Sequence, residues 1–141
     1  MRHIHLCSRE EERGLARDQI SKGFLEDTQS KMGKNGFGDE IIYTMHEDSV
    51  FIGAISVREA WGALWVKNLY VEKEYRGQGC ARQLLQHAMD ISKEQGHTFA
   101  FLETFSFQAL EFYLKLGFEL EFTRDGYSDG VSFHYLKRMY V

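Results

Sequence analysis

Tyr70-Val71-Glu72-Lys73-Glu74-Tyr75-Arg76-Gly77-Gln78-Gly79-Cys80-Ala81-Arg82 is the stretch on which the reading of this chain turns. It carries the backbone from the end of a strand, through a short charged turn and a glycine loop, into a helix. Ala81, Leu84, Leu85, Ala88 and Met89 fall at i, i+3, i+4, i+7 and i+8, one apolar face of that helix, and Gly96 stops it. The first amides of a helix have no carbonyl one turn back, so they point outward, and the helix dipole favours an anion there. Gly77 and Gly79 let the backbone approach a phosphate closely, and Arg76 and Arg82 add positive charge. The same residues also suit a plain glycine turn flanked by solvated arginines, and the segment by itself leaves both readings open.

Working outward, 2–7 reads as a first strand and Ser8 to Arg13 opens a helix carrying Ala16, Ile20 and Phe24 at four-residue spacing. A glycine-rich loop follows at Met32–Gly38. Glu40–His46, Val50–Val57 and Ala63–Val71 read as three strands of an antiparallel meander. After the helix at Cys80, Thr98–Leu102 is an apolar run expected to be buried on both faces. Ser106 is placed to cap the next helix, whose stripe is Ala109, Phe112, Tyr113 and Leu116 and whose end is Gly117. Phe118–Thr123 and Val131–Tyr140 close the chain as a strand pair around the turn 125–130. The order is β-α-βββ-α-β-α-ββ, an α/β or α+β sheet of about seven strands and mixed direction.

The 141 residues, 16.5 kDa, amount to a single domain, 1–141. Seventeen Lys and Arg against 21 Asp and Glu give a net charge of −4, which argues against a nucleic-acid partner. No apolar run approaches the ~18 residues of a membrane span. Met1-Arg2-His3-Ile4-His5 lacks the apolar stretch of a signal peptide, and two cysteines, Cys7 and Cys80, do not make a disulfide framework. The expected location is therefore the reducing cytoplasm. No metal is expected. His3, His5 and Cys7 alternate on one strand face, but ligands spaced about 6–7 Å apart along a strand are too wide for joint coordination.

Among phosphate loops, GxxxxGK[ST] is absent. GxGxxG/A is half met by Gly77 and Gly79 but has Arg82 in third place, with Glu103 where a ribose-binding acid would stand. R-x-x-G-x-G/A is met in full by Arg76-Gly77-Gln78-Gly79-Cys80-Ala81. With Leu69-Tyr70-Val71 before the loop and Ser106-Phe107-Gln108-Ala109-Leu110-Glu111-Phe112-Tyr113-Leu114-Lys115-Leu116-Gly117-Phe118 after it, the chain resembles the GCN5-related N-acetyltransferases, best over 40–124.

The resemblance implies a mixed, mostly antiparallel sheet, splayed between the strands ending near Val71 and Glu103. It implies acetyl-coenzyme A as donor, its diphosphate on Gln78, Gly79, Cys80, Ala81 and Arg82, with Arg76 and Gly77 shaping the turn. The pantetheine arm then runs beside Leu69, Tyr70 and Val71, in the manner of an added strand. Phe112 and Ser106 complete the cofactor set, Ser106 standing where the family has asparagine. Tyr113 takes the family's place of proton donor to the departing thiolate. The strand Ala63–Leu69 has no carboxylate to act as base, which leaves Glu103 as the candidate, working through water. The acceptor is expected to be a small amine drawn by the acidic balance. Leu110 and Leu114 widen the apolar surface of the last helix beyond one stripe, as expected for burial on two sides or for a homodimer contact. Two other readings stay open: a non-catalytic acyl-coenzyme A sensor, and a dinucleotide-binding oxidoreductase.

Overall fold

In the computed structural model, which describes all 141 residues, the chain runs α1 (Glu10–Met32), β1 (Ile41–Glu47), β2 (Val50–Ala60), β3 (Ala63–Val71), α2 (Cys80–Glu94), β4 (Phe99–Phe105), α3 (Leu110–Lys115), β5 (Glu119–Arg124) and β6 (Phe133–Met139). It forms two compact units, residues 1–36 and 37–141. The first holds the N-terminal segment and α1. Three glutamates, Glu10 to Glu12, sit in the first turn of α1, where the dipole favours them, and Gly33 closes it with a left-handed φ of 74°.

The second unit is a mixed α+β fold around a six-stranded sheet ordered β1-β2-β3-β4-β6-β5. The hairpins β1-β2 and β2-β3 each turn over two residues at positive φ, Asp48 and Ser49 in one, Trp61 and Gly62 in the other. Such turns match the right-handed twist of the strands they join. β4-β6 and β5-β6 are antiparallel as well. The single parallel seam, β3-β4, is paired only at Leu64–Ala100 and Trp65–Phe101. A doubly wound parallel sheet, the frame of a dinucleotide-binding oxidoreductase, is thereby excluded.

α2 packs over β1–β3. Leu84, Leu85, Ala88 and Met89 are buried against Ile55, Val57, Leu64 and Val66, with Ala100, Leu102 and Leu136 continuing the core. Full burial of a Leu or Met side chain contributes about 1.5–3 kcal/mol, so the apolar face read from the sequence fixes which side of α2 lies on the sheet.

Three expectations are corrected. Residues 2–7 form no strand, which makes the sheet six-stranded, and Ile4 and Leu6 stand exposed. Alternation defines a face, but a strand also needs a partner edge, and this segment has none. β4 is buried on one face only: Ala100, Leu102 and Thr104 point inward while Phe99, Phe101, Glu103 and Phe105 are half-exposed. Ser106 does not cap α3, which begins four residues later. Gln108 makes that turn instead, its Oε1 accepting from the Phe105 amide at 2.9 Å and the Thr104 hydroxyl at 3.2 Å.

Candidate active site

β3 and β4 part company beyond Trp65 and Phe101, yet β3 runs on to Val71 and β4 to Phe105. A bulge at Lys67 adds to the divergence: Ser56 pairs with Asn68 and Val57 with Val66, so Lys67 has no partner on β2. The opening is a crevice of about 290 Å³ lined by Lys67, Asn68, Leu69, Tyr70, Glu103, Thr104, Gln108, Ala109 and Tyr113. Successive amides alternate sides along a strand. The Glu72 amide donates back to Ile52 O at 2.7 Å, so the amides of Leu69 and Val71 face away from β2, on the side where β4 has parted from β3. Gly53 lets β2 and β3 come this close; a Cβ there would lie 2.5 Å from the Tyr70 carbonyl oxygen.

A second cavity, of about 340 Å³, lies at the start of α2; its wall includes Val71 and Phe112, the chain neighbours of Tyr70 and Tyr113 in the crevice. The first bond of α2 runs from the Gln83 amide to the Gly79 carbonyl at 3.0 Å, so the amides of Cys80, Ala81 and Arg82 have no carbonyl one turn back. No side chain caps them and the first turn carries no acid. Gly77 and Gly79 sit at φ 77° and 84° with open space around their Cβ positions, so backbone conformation rather than crowding demands glycine. Arg76 donates through Nε to the Val71 carbonyl at 2.9 Å and lies 5.6 Å from the centre of the Tyr70 ring, which ties the loop to the strand end. Gln78 donates to the Glu74 carbonyl at 3.2 Å. Arg82 and Lys115 line the cavity with exposed side chains, and Tyr75, Phe112 and Leu116 supply an apolar wall. Open amides, three cations (Arg76, Arg82 and Lys115) and no competing carboxylate suit a diphosphate, and the neighbouring crevice suits an extended arm.

The two acid–base candidates share the crevice. Tyr113 is buried, edge-on to Phe112 at 5.1 Å and to Phe118 at 5.7 Å. Burial raises its pKa above the ordinary phenol value of 10.0, because the phenolate would lose its hydration. Glu103 is half-buried and accepts from the Trp65 indole Nε1–H at 3.0 Å, with Trp65 stacked on Phe101 at 5.8 Å. It is therefore an oriented acid rather than one that simply faces solvent.

Of the residues picked out from the sequence, Leu69, Tyr70, Tyr113 and Glu103 meet in the crevice, and Val71, Arg76, Gly77, Gly79, Cys80, Ala81, Arg82 and Phe112 in the cavity. Gln78 is exposed beside them. Ser106 is turned the other way: it is exposed, its Oγ accepts from the Ser132 amide at 3.0 Å, and its own amide donates to the Ser132 carbonyl at 2.8 Å. His134 is a buried sheet histidine bonded through Nδ1 to the Thr123 hydroxyl at 2.8 Å. The sequence reading passed over Lys115 and Gln108. Both stand inside the motif that picked out Tyr113, and Lys115, two residues after it, was the legible signal for a third cation near the loop.

A family model for the acetyltransferase (GNAT) domain matches residues 38–120, more than half of the chain. N-acetyltransferase 8B of Rattus norvegicus is 30% identical over 105 residues, 71% of this chain, and the match spans only 44% of that protein. Among solved structures, an acetyltransferase from Bacillus cereus ATCC 14579 superposes with a TM-score of 0.77 at 24% identity, covering 99% of this chain and 98% of its own. PaiA N-acetyltransferase from Thermoplasma acidophilum, in complex with coenzyme A, gives 0.62 at 23% identity, covering 96% and 81%.

Proposed function

The chain belongs to the GNAT acetyltransferases, and on that basis we propose that it moves an acetyl group from acetyl-coenzyme A to a primary amine of a small acceptor. The observation that carries the proposal is the cavity at the open amides of α2 lying one residue along β3 and α3 from the crevice, whose wall holds Tyr113 and Glu103. Coenzyme A in the Thermoplasma acidophilum relative supports the choice of donor.

In this reading the amides of Gln78 through Arg82, with the Arg82 and Lys115 side chains, hold the diphosphate, and Arg76 and Gly77 keep the loop in shape. Leu69 and Val71 offer their outward amides to the arm and Tyr70 and Phe112 flank it, while Ser106, its hydroxyl held by the Ser132 amide, takes no part. Acetyl-coenzyme A supplies the activated thioester. The Val71 amide is placed to polarise the thioester carbonyl. Glu103, held by Trp65, takes the proton of the incoming ammonium through water, so that a neutral amine attacks. Tyr113 keeps its own proton at neutral pH and gives it to the departing thiolate. The excess of acids over bases, 21 against 17, favours a cationic acceptor.

One observation favours a second reading: β3 carries no carboxylate, which suits a chain that binds acyl-coenzyme A without turning it over. Thiol release from acetyl-coenzyme A, followed across a panel of polyamines, amino sugars and amino acid derivatives, separates the two. The enzyme reading expects amine-dependent release with at least one class. Tight binding of acetyl-coenzyme A with no release above the hydrolytic background across the panel would replace it with the sensor reading.

A further inference from the structure

The N-terminal unit holds a cluster of chemistry that acetyl transfer leaves unused. The chain before α1 bends so that His5 and Cys7 approach Glu12 in the helix's first turn, and one ring nitrogen, the thiol sulfur and a carboxylate oxygen all lie within 4.8 Å of one another. His5 Nε2 is 2.8 Å from Glu12 Oε2. Arg9 Nε donates to Glu12 Oε1 at 2.7 Å, which fixes the carboxylate plane and leaves Oε2 turned toward His5. Cys7 is free and half-buried beside them.

We propose that His5, Cys7 and Glu12 bind a divalent zinc ion, with water in the fourth position. The objection from the sequence was the spacing of three ligands along one extended strand. The segment is not a strand, and the third ligand comes from α1 rather than from further along the same face. Imidazole and thiolate together select a borderline-soft ion, and a carboxylate is a regular third partner for zinc, whereas calcium and magnesium take oxygen alone. In a tetrahedral zinc site the donor atoms sit about 3.3–3.6 Å apart, from Zn–N and Zn–O of ≈ 2.0–2.2 Å and Zn–S of ≈ 2.3 Å. The His5–Glu12 pair opens slightly and Cys7 closes by about 1 Å, within reach of side-chain rotation.

Binding releases the thiol proton to solvent, and the two negative ligands neutralise the ion. Arg9 keeps Oε1 and orients the ligating carboxylate, the usual part of a residue behind a metal ligand. The effect is to tie residues 5–7 to the first turn of α1. None of these residues lines the cavity or the crevice, so the ion would be structural.

Zinc chloride titrated into the intact chain against a chromophoric chelator tests this, with cobalt substitution as a second readout. The expected result is one zinc per chain. Cys7→Ala and His5→Ala each weaken binding by more than about 100-fold, since losing even a residue behind a ligand costs roughly 10–100-fold. Cys80→Ser leaves binding unchanged. The cobalt form shows a sulfur-to-metal charge-transfer band that Cys7→Ala abolishes. The segment is exposed, so circular dichroism should be the same for every variant. Several weakly held ions indifferent to Cys7→Ala, no binding at all, or a cobalt spectrum without the thiolate band would overturn the proposal and leave Glu12 as a simple ion-pair partner of Arg9 and His5.

Discussion

Tyr113 sits on a six-residue helix, buried to 9% relative exposure, with its pKa pushed above 10.0 by burial. A group whose folded-state value is raised contributes stability that is complete below its unfolded value and is lost as pH rises through the folded one. The proposed proton donor therefore keeps its proton across the neutral and mildly alkaline range. We expect Tyr113→Phe to lower kcat by about 10²–10⁴-fold, the usual size of an acid–base contribution, with KM for acetyl-coenzyme A little changed. A stopped assay over pH 6 to about 10 checks it, and the wild type should show no loss of the acid below the ordinary phenol value. At this scale the sequence was informative where a residue sits inside a spaced motif, as Tyr113, Arg76 and Arg82 do. It was silent on partners made by the fold. Nothing in the spacing announces that Trp65, 38 residues away, will hold Glu103, or that the Ser106 hydroxyl will be claimed by Ser132.

β3 and α2 do most of the positioning, and both were legible. Ala63–Val71 was read with its final bounds, and the α2 face is buried residue for residue except for the half-buried Ala81. Strong periodicity agreed with burial in both. The segment 2–7 had periodicity without a partner and failed as a strand. On α1, Ile20 and Phe24 keep the spacing of a core face and are exposed. The contact of β2 with β3 gives a prediction at this level. Gly53→Ala puts a Cβ 2.5 Å from the Tyr70 carbonyl, so the strands must separate just where Val71 leads into the loop. Overpacking of this kind costs roughly 1–3 kcal/mol. Thermal unfolding should show a lowered Tm, and affinity for coenzyme A should fall with it. An unchanged Tm would mean that β3 is not clamped at this point.

Across the whole molecule, the proposed function rests on one interruption in an otherwise continuous sheet. Two antiparallel halves meet at a seam of two paired positions, and beyond that seam the crevice opens between β3, β4 and α3. The mixed sheet was legible as strand order together with the family's motifs. The shortness of the parallel seam was not, because pairing across it depends on how β4 and β6 pack rather than on any local pattern. No helix is long and apolar enough to cross a membrane. The central claim is that the amides opening α2 hold a diphosphate while those of Leu69 and Val71 hold the arm attached to it. Amide hydrogen exchange, read residue by residue with and without coenzyme A, tests this directly. The account predicts slowed exchange at Gln78 through Arg82 and at Leu69 and Val71. Unchanged exchange at those amides in the presence of saturating coenzyme A, or protection confined to another part of the sheet, would contradict it.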